Sequence, residues 1–145
     1  MTRIIRLTAQ TGVFLACCAG CLGDSTGPEG TAPVAGTWQF SGRQTVGTAA
    51  TLAGTLVLQS QSRTTYSGSL DVVATLAGAA AQRLAGPVSG RVVNESTVDF
   101  AATLSGIERQ HIGTVVADTI SGTWLETSGN SVGASGTFRA IRTAR

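Results

Sequence analysis

The sequence predicts an all-β protein: an antiparallel up-and-down meander of about eight strands, closed or nearly closed into a barrel, with a β-sandwich as the alternative. Three observations predict it. From Val34 onward, apolar and polar residues alternate with the period of a strand, not of a helix. Short polar breaks interrupt the alternation at hairpin spacing. A unit of a small residue, glycine, threonine and an apolar residue recurs, as in Ala35-Gly36-Thr37-Trp38, Ala53-Gly54-Thr55-Leu56, Ser121-Gly122-Thr123-Trp124 and Ser135-Gly136-Thr137-Phe138. A glycine on the inward face lets a strand bend sharply or approach another backbone closely. Repeated strand after strand, such bends let a sheet curl and close, and closure removes edges that would invite aggregation.

Each element follows from the same reading. Strands are expected near 36–45, 52–60, 63–74, 86–93, 97–104, 111–116, 119–126 and 133–142. In the third, Tyr66, Gly68, Leu70, Val72 and Ala74 share one face, and Ser67, Ser69, Asp71 and Val73 the other. Val98, Phe100, Ala102 and Leu104 alternate with Asp99, Ala101 and Thr103, and Ile120, Gly122 and Trp124 with Ser121 and Thr123. Asn94-Glu95-Ser96, Ala117-Asp118 and Ser128-Gly129-Asn130-Ser131 read as hairpin loops. The run Ala77 to Leu84 has no alternation and fits a short helix, a loop or part of a strand. The expected inward set is Trp38, Phe40, Leu56, Leu58, Tyr66, Leu70, Val92, Phe100, Leu104, Trp124 and Phe138.

Composition excludes several functions. The chain has 145 residues, of which 12% are charged, and every basic residue is arginine. Beyond Cys21, eight arginines balance eight carboxylates, so a basic nucleic-acid binder is excluded. One histidine and three clustered cysteines leave little for a metal site, and no cofactor is expected. There is no Gly-x-Ser-x-Gly elbow and no lysine-bearing phosphate loop. Glu108 and His111 have a spacing that shares a helix face, but they fall on a loop-to-strand transition, so His111 is expected to face solvent. Asp71 and Asp99 fall mid-strand on polar faces, where Arg63 or Arg91 could pair with them. No catalytic residue is assigned, and a hydrolase converging on Glu108 and His111 ranks last among the readings.

The N-terminus reads as an address. Arg3 and Arg6 precede an apolar stretch from Leu7 to Ala19, the pattern of a secretory signal. That stretch is too short for a bilayer, which needs about 20 apolar residues. Cys18-Ala19-Gly20-Cys21 then resembles the lipobox of bacterial lipoproteins, although Cys18 stands where that pattern prefers leucine. The resemblance implies removal of 1–20, a diacylglycerol thioether on Cys21, and export to the cell envelope. Leu22, rather than aspartate, follows the cysteine, which leans toward the outer membrane. Residues 21–33, rich in Gly, Ser, Thr and Pro, form the expected tether, and 34–145 the barrel domain.

The domain also resembles the lipocalin and avidin-like barrels, the calycin group. Gly36-Thr37-Trp38 on the first strand matches their Gly-x-Trp, and Arg139 or Arg142 on the last matches an arginine that crosses the tryptophan. The resemblance implies barrel closure by Gly36, Trp38 and one of those arginines. A plain core tryptophan is the other reading of Trp38. Aromatics make up only 5% of the chain, and many inward positions are small. We therefore expect a cavity lined partly by Tyr66, Phe100 and Trp124 that holds a small apolar molecule. The alternatives are a filled interior serving a structural or protein-interaction role, with the protein partner unknown.

Overall fold

The computed structural model describes residues 34–128 and 131–144. The expected signal peptide, the lipidation site Cys21 and the tether lie outside the described residues. Eight strands follow in order: β1 Gly36–Val46, β2 Ala50–Ser60, β3 Thr65–Leu76, β4 Gln82–Val92, β5 Thr97–Leu104, β6 Ile107–Val116, β7 Thr119–Ser128 and β8 Ser131–Ala144. Each pairs antiparallel with the next, and β8 returns to β1, closing the barrel. That closure excludes the sandwich.

Several boundaries move from the expected ones. β3 starts at Thr65, after a turn in which Ser62 accepts from the backbone N–H groups of Thr64 and Thr65. The Ala-rich run splits: residues 77–81 form the β3–β4 connection, and β4 begins at Gln82, paired with Ala74. β6 begins at Ile107 rather than 111. Its start follows from a two-residue hairpin, Ser105-Gly106, with φ of +52° and +82°. Positive φ at both central residues is the turn whose twist matches the flanking strands. That turn pairs Leu104 with Ile107 and brings both to one face.

The hairpin has a consequence for every residue of β6. In the other strands the inward residues carry even numbers, whereas in β6 they are odd: Arg109, His111, Gly113 and Val115. The two-residue turn at Ala117-Asp118 restores even parity in β7. His111 is therefore not solvent-facing. It sits mid-strand, 2% exposed, inside the core. Glu108, on the opposite face of the same strand, is exposed, so the two residues cannot converge on one cleft.

The core is continuous around the barrel and includes Trp38, Phe40, Leu56, Leu70, Val72, Phe100, Leu104, Ile120, Trp124 and Phe138. Every member of the expected inward set is buried or packed against this core. Its middle is filled by rings. His111 stacks on Phe100 at 4.5 Å between centroids, Phe40 stacks on Phe138 at 5.7 Å, and Phe138 stands edge-on to His111 at 5.3 Å. Inward glycines let the strands coil this tightly. A Cβ on Gly86 would lie 1.7 Å from the Thr103 carbonyl oxygen. Outside, Asp99 pairs with Arg91 at 3.6 Å as expected, whereas Asp71 pairs with Arg83 rather than Arg63. Ala85 is opposite Asp71 on β4, and Arg83, its diagonal neighbour opposite Val73, hydrogen-bonds Asp71 and holds its carboxyl below the usual range.

Candidate functional site: one sealed end and one open mouth

The two ends of the barrel differ. At one end the β1 start meets the β8 finish. Arg142 lies over the Trp38 indole, 4.1 Å from the ring centre, and donates to the Ala35 carbonyl. Its Nε also pairs with Asp118 at 3.1 Å. The Trp38 indole N–H donates to the Val34 carbonyl at 3.0 Å. Gly36 makes room for this plug: at φ +138°, a Cβ there would lie 2.9 Å from the Arg142 guanidinium and 2.5 Å from the Ala144 carbonyl oxygen. The other arginine singled out by the sequence, Arg139, points outward and is exposed. Strand alternation decides between them, because 138, 140 and 142 share the inward face.

The opposite end carries the loops after β1, β3 and β5, and here a cavity of about 200 Å³ opens. Leu52, Ala74, Leu76, Leu84, Leu104 and Trp124 form apolar wall, and Gln44, Thr48, Gln82, Ser105 and Arg109 add polar groups. The expected trio of Tyr66, Phe100 and Trp124 is divided. Trp124 lines the mouth cavity. Phe100 is packed under His111 in the middle of the barrel. Tyr66 is buried nearer the sealed end, where its hydroxyl donates to the Asp99 carbonyl at 3.3 Å and burial pushes its pKa up.

The polar part of the mouth is not among the residues expected from the sequence. Arg109 and Glu126 are opposite each other on β6 and β7 and pair at 2.9 Å, their side chains only 13% and 15% exposed. The Arg109 guanidinium lies over the Trp124 ring, 5.9 Å from its centre. Arg109 Nε and Nη1 and the Trp124 indole N–H are buried donors with no acceptor among the described residues. One signal could have found Arg109: a two-residue Ser105-Gly106 turn between Leu104 and Ile107 forces both inward, and Arg109 and His111 with them.

His111 lies one inward position below Arg109. Its Nδ1–H donates to the Arg109 carbonyl at 3.0 Å. Burial among rings is the main cause of a pKa lowered to about 4, so the imidazole is neutral at pH 7. Among the described residues, no group of three or more His, Cys, Asp or Glu side chains is placed to hold a metal ion.

No protein-family model matches this chain, and no curated protein matches it. Solved structures do. The chain is similar to EF1p2_mFAP2b bound to DFHBI, with a TM-score of 0.60 and 18% identity over 75% of this chain and 93% of that one. A redesigned β-barrel, mFAP1, bound to DFHBI, matches with a TM-score of 0.57 and 21% identity over 74% and 94% of the two chains. A de novo designed fluorescence-activating β-barrel matches with a TM-score of 0.55 and 18% identity over 75% and 93%. At these identities the likeness is one of fold.

Proposed function

We propose that this chain is an exported lipoprotein, anchored through Cys21, whose barrel binds a small apolar molecule without catalysis. The observation that carries the binding reading is the mouth cavity of about 200 Å³, whose wall combines apolar side chains with the polar Gln44, Thr48, Gln82, Ser105 and Arg109. Ligand sites have that makeup, though commonly at about 300–1,000 Å³. An apolar cavity of about 150 Å³ holds benzene, so the mouth suits a molecule of roughly one ring. Two fold neighbours were solved bound to DFHBI, which supports the same reading. The anchor rests on the lipobox-like Cys18-Ala19-Gly20-Cys21 and the polar run after it. Outer-membrane placement rests on Leu22.

The packed ring cluster in the middle of the barrel favours a second reading, a structural or interaction module whose cavity is incidental. Native mass spectrometry of the full-length protein, purified from membranes and released from detergent, separates the two. A bound small molecule that is lost in Ala74→Phe, which fills the mouth, is the expected result. An empty mass, with no uptake of small aromatic probes by either form, would sink the binding reading in favour of the module.

A further inference from the structure

We propose that the mouth selects an uncharged ligand bearing a hydrogen-bond acceptor, such as a ketone or ester oxygen, over both pure hydrocarbons and carboxylates. The inference rests on the ligand-binding reading above and assigns the chemistry of that ligand. Three donors in or beside the cavity wall, Arg109 Nε, Arg109 Nη1 and the Trp124 indole N–H, have no acceptor among the described residues. The Trp124 side chain is 3% exposed, so bulk water does not reach it freely. A buried donor left unpaired is costly, and a ligand oxygen that pairs with it regains that cost on binding. A hydrocarbon cannot do so.

The charge balance argues against an anion. Arg109 already holds Glu126 at 2.9 Å, with both side chains largely buried, so the pair is neutral as a unit. Among the described residues, Arg109 is the charged residue lining the cavity, and Glu126 is its ion-pair partner. A carboxylate would bring a second negative charge to one guanidinium and lose its own hydration. A neutral acceptor gains the open donors without that penalty. The remaining polar residues of the wall, Gln44, Thr48, Gln82 and Ser105, can each donate or accept and so suit either partner.

The test uses three probes of similar size: acetophenone, ethylbenzene and benzoate. Each is titrated into the full-length protein labelled with nitrogen-15, following the Trp124 indole N–H resonance, assigned by its loss in Trp124→Phe. Acetophenone is expected to bind about tenfold or more tightly than either competitor, the factor one added hydrogen bond supplies. In the double variant Arg109→Met, Glu126→Gln, which leaves no lone buried charge, its advantage over ethylbenzene should shrink to about threefold or less. If the double variant does not fold, the three-probe comparison on the unaltered protein decides alone. Tightest binding by benzoate overturns the proposal in favour of an anion site. Equal binding of ethylbenzene and acetophenone overturns it because the donors are then unused. Either result leaves the binding reading standing, whereas no response to any probe overturns both.

Discussion

Arg142 covers the Trp38 indole at 4.1 Å and joins the first strand to the last at the sealed end of the barrel. One guanidinium supports three things there: the ring face, the Ala35 carbonyl and the Asp118 carboxylate. Its side chain is only 6% exposed. Arg142→Ala should therefore destabilise the fold by about 2–3 kcal/mol, combining lost cation–π, hydrogen-bond and packing contributions. Arg139→Ala, on the solvent face three residues earlier, should stay within about 0.5 kcal/mol. Urea titration of the two variants checks the contrast. Equal effects would mean that the sealed end does not depend on the Arg142 plug.

Much of this end was legible in the sequence. Gly36-Thr37-Trp38 and the two late arginines were visible, and alternation along β8 chooses between Arg139 and Arg142. The strand periodicity of β3, β5 and β7 was equally plain, because their inward positions, Glu126 near the end of β7 aside, are apolar or glycine. β6 was harder to read. Its inward face carries Arg109 and His111 among Gly113 and Val115, and polar residues on a buried face disguise the alternation. Register, not composition, put them inside, and register hangs on a hairpin of two residues. The polar mouth was hidden for the same reason. The sequence also could not show that Phe100 and Tyr66 fall below the cavity, since depth along the barrel axis depends on strand stagger.

Among the described glycines, Gly86 is the one where an added Cβ would meet the nearest atom. A Cβ there would overlap the Thr103 carbonyl oxygen at 1.7 Å, and backbone cannot swing aside as a side-chain tip can. Gly86→Ala should cost about 3 kcal/mol or more, or prevent folding. Gly106→Asn is the informative contrast. That turn glycine has φ +82°, with nothing within 4 Å of a built Cβ, and asparagine tolerates this conformation. It should cost under about 1 kcal/mol. Denaturation midpoints of both variants supply the check, and a harmless Gly86→Ala would show that β4 and β5 are not so closely held.

The anchor reading makes a prediction that does not depend on the barrel. If Cys21 carries the lipid, Cys21→Ala should abolish membrane retention while leaving the far-ultraviolet circular dichroism of the domain unchanged. Each buried acyl methylene contributes about 0.8 kcal/mol, so loss of several chains moves the protein from bound to free rather than weakening it slightly. Cys17, preceded by Phe14-Leu15-Ala16, is the rival attachment site in the sequence, and Cys17→Ala should leave retention intact. Fractionation of cells expressing each variant tests this, and normal retention of Cys21→Ala would place the attachment elsewhere.

His111 couples the core to pH. In the native barrel its pKa is lowered to about 4, whereas an unfolded histidine titrates near 6.5. Between these values the unfolded chain takes up a proton that the native one refuses. Stability is therefore full above about pH 6.5 and falls as pH drops, by up to about 1.4 kcal/mol per unit. The decline from this residue ends near pH 4, below which both states are protonated, for a total of about 3 kcal/mol. Asp71, whose carboxyl is held below its ordinary range by the hydrogen bond from Arg83, adds its own acid sensitivity at lower pH. His111→Phe isolates the histidine part. A phenyl ring can keep the stack on Phe100 and the edge contact with Phe138 but cannot take a proton. It loses the hydrogen bond to the Arg109 carbonyl, so its stability at pH 7 should be lower by about 1 kcal/mol. Its urea midpoint should then change much less between pH 6.5 and 4.5 than that of the unaltered protein, and the two curves should cross. Parallel curves across that range would mean that the native imidazole accepts a proton as readily as the unfolded one, and that the ring cluster opens to admit water.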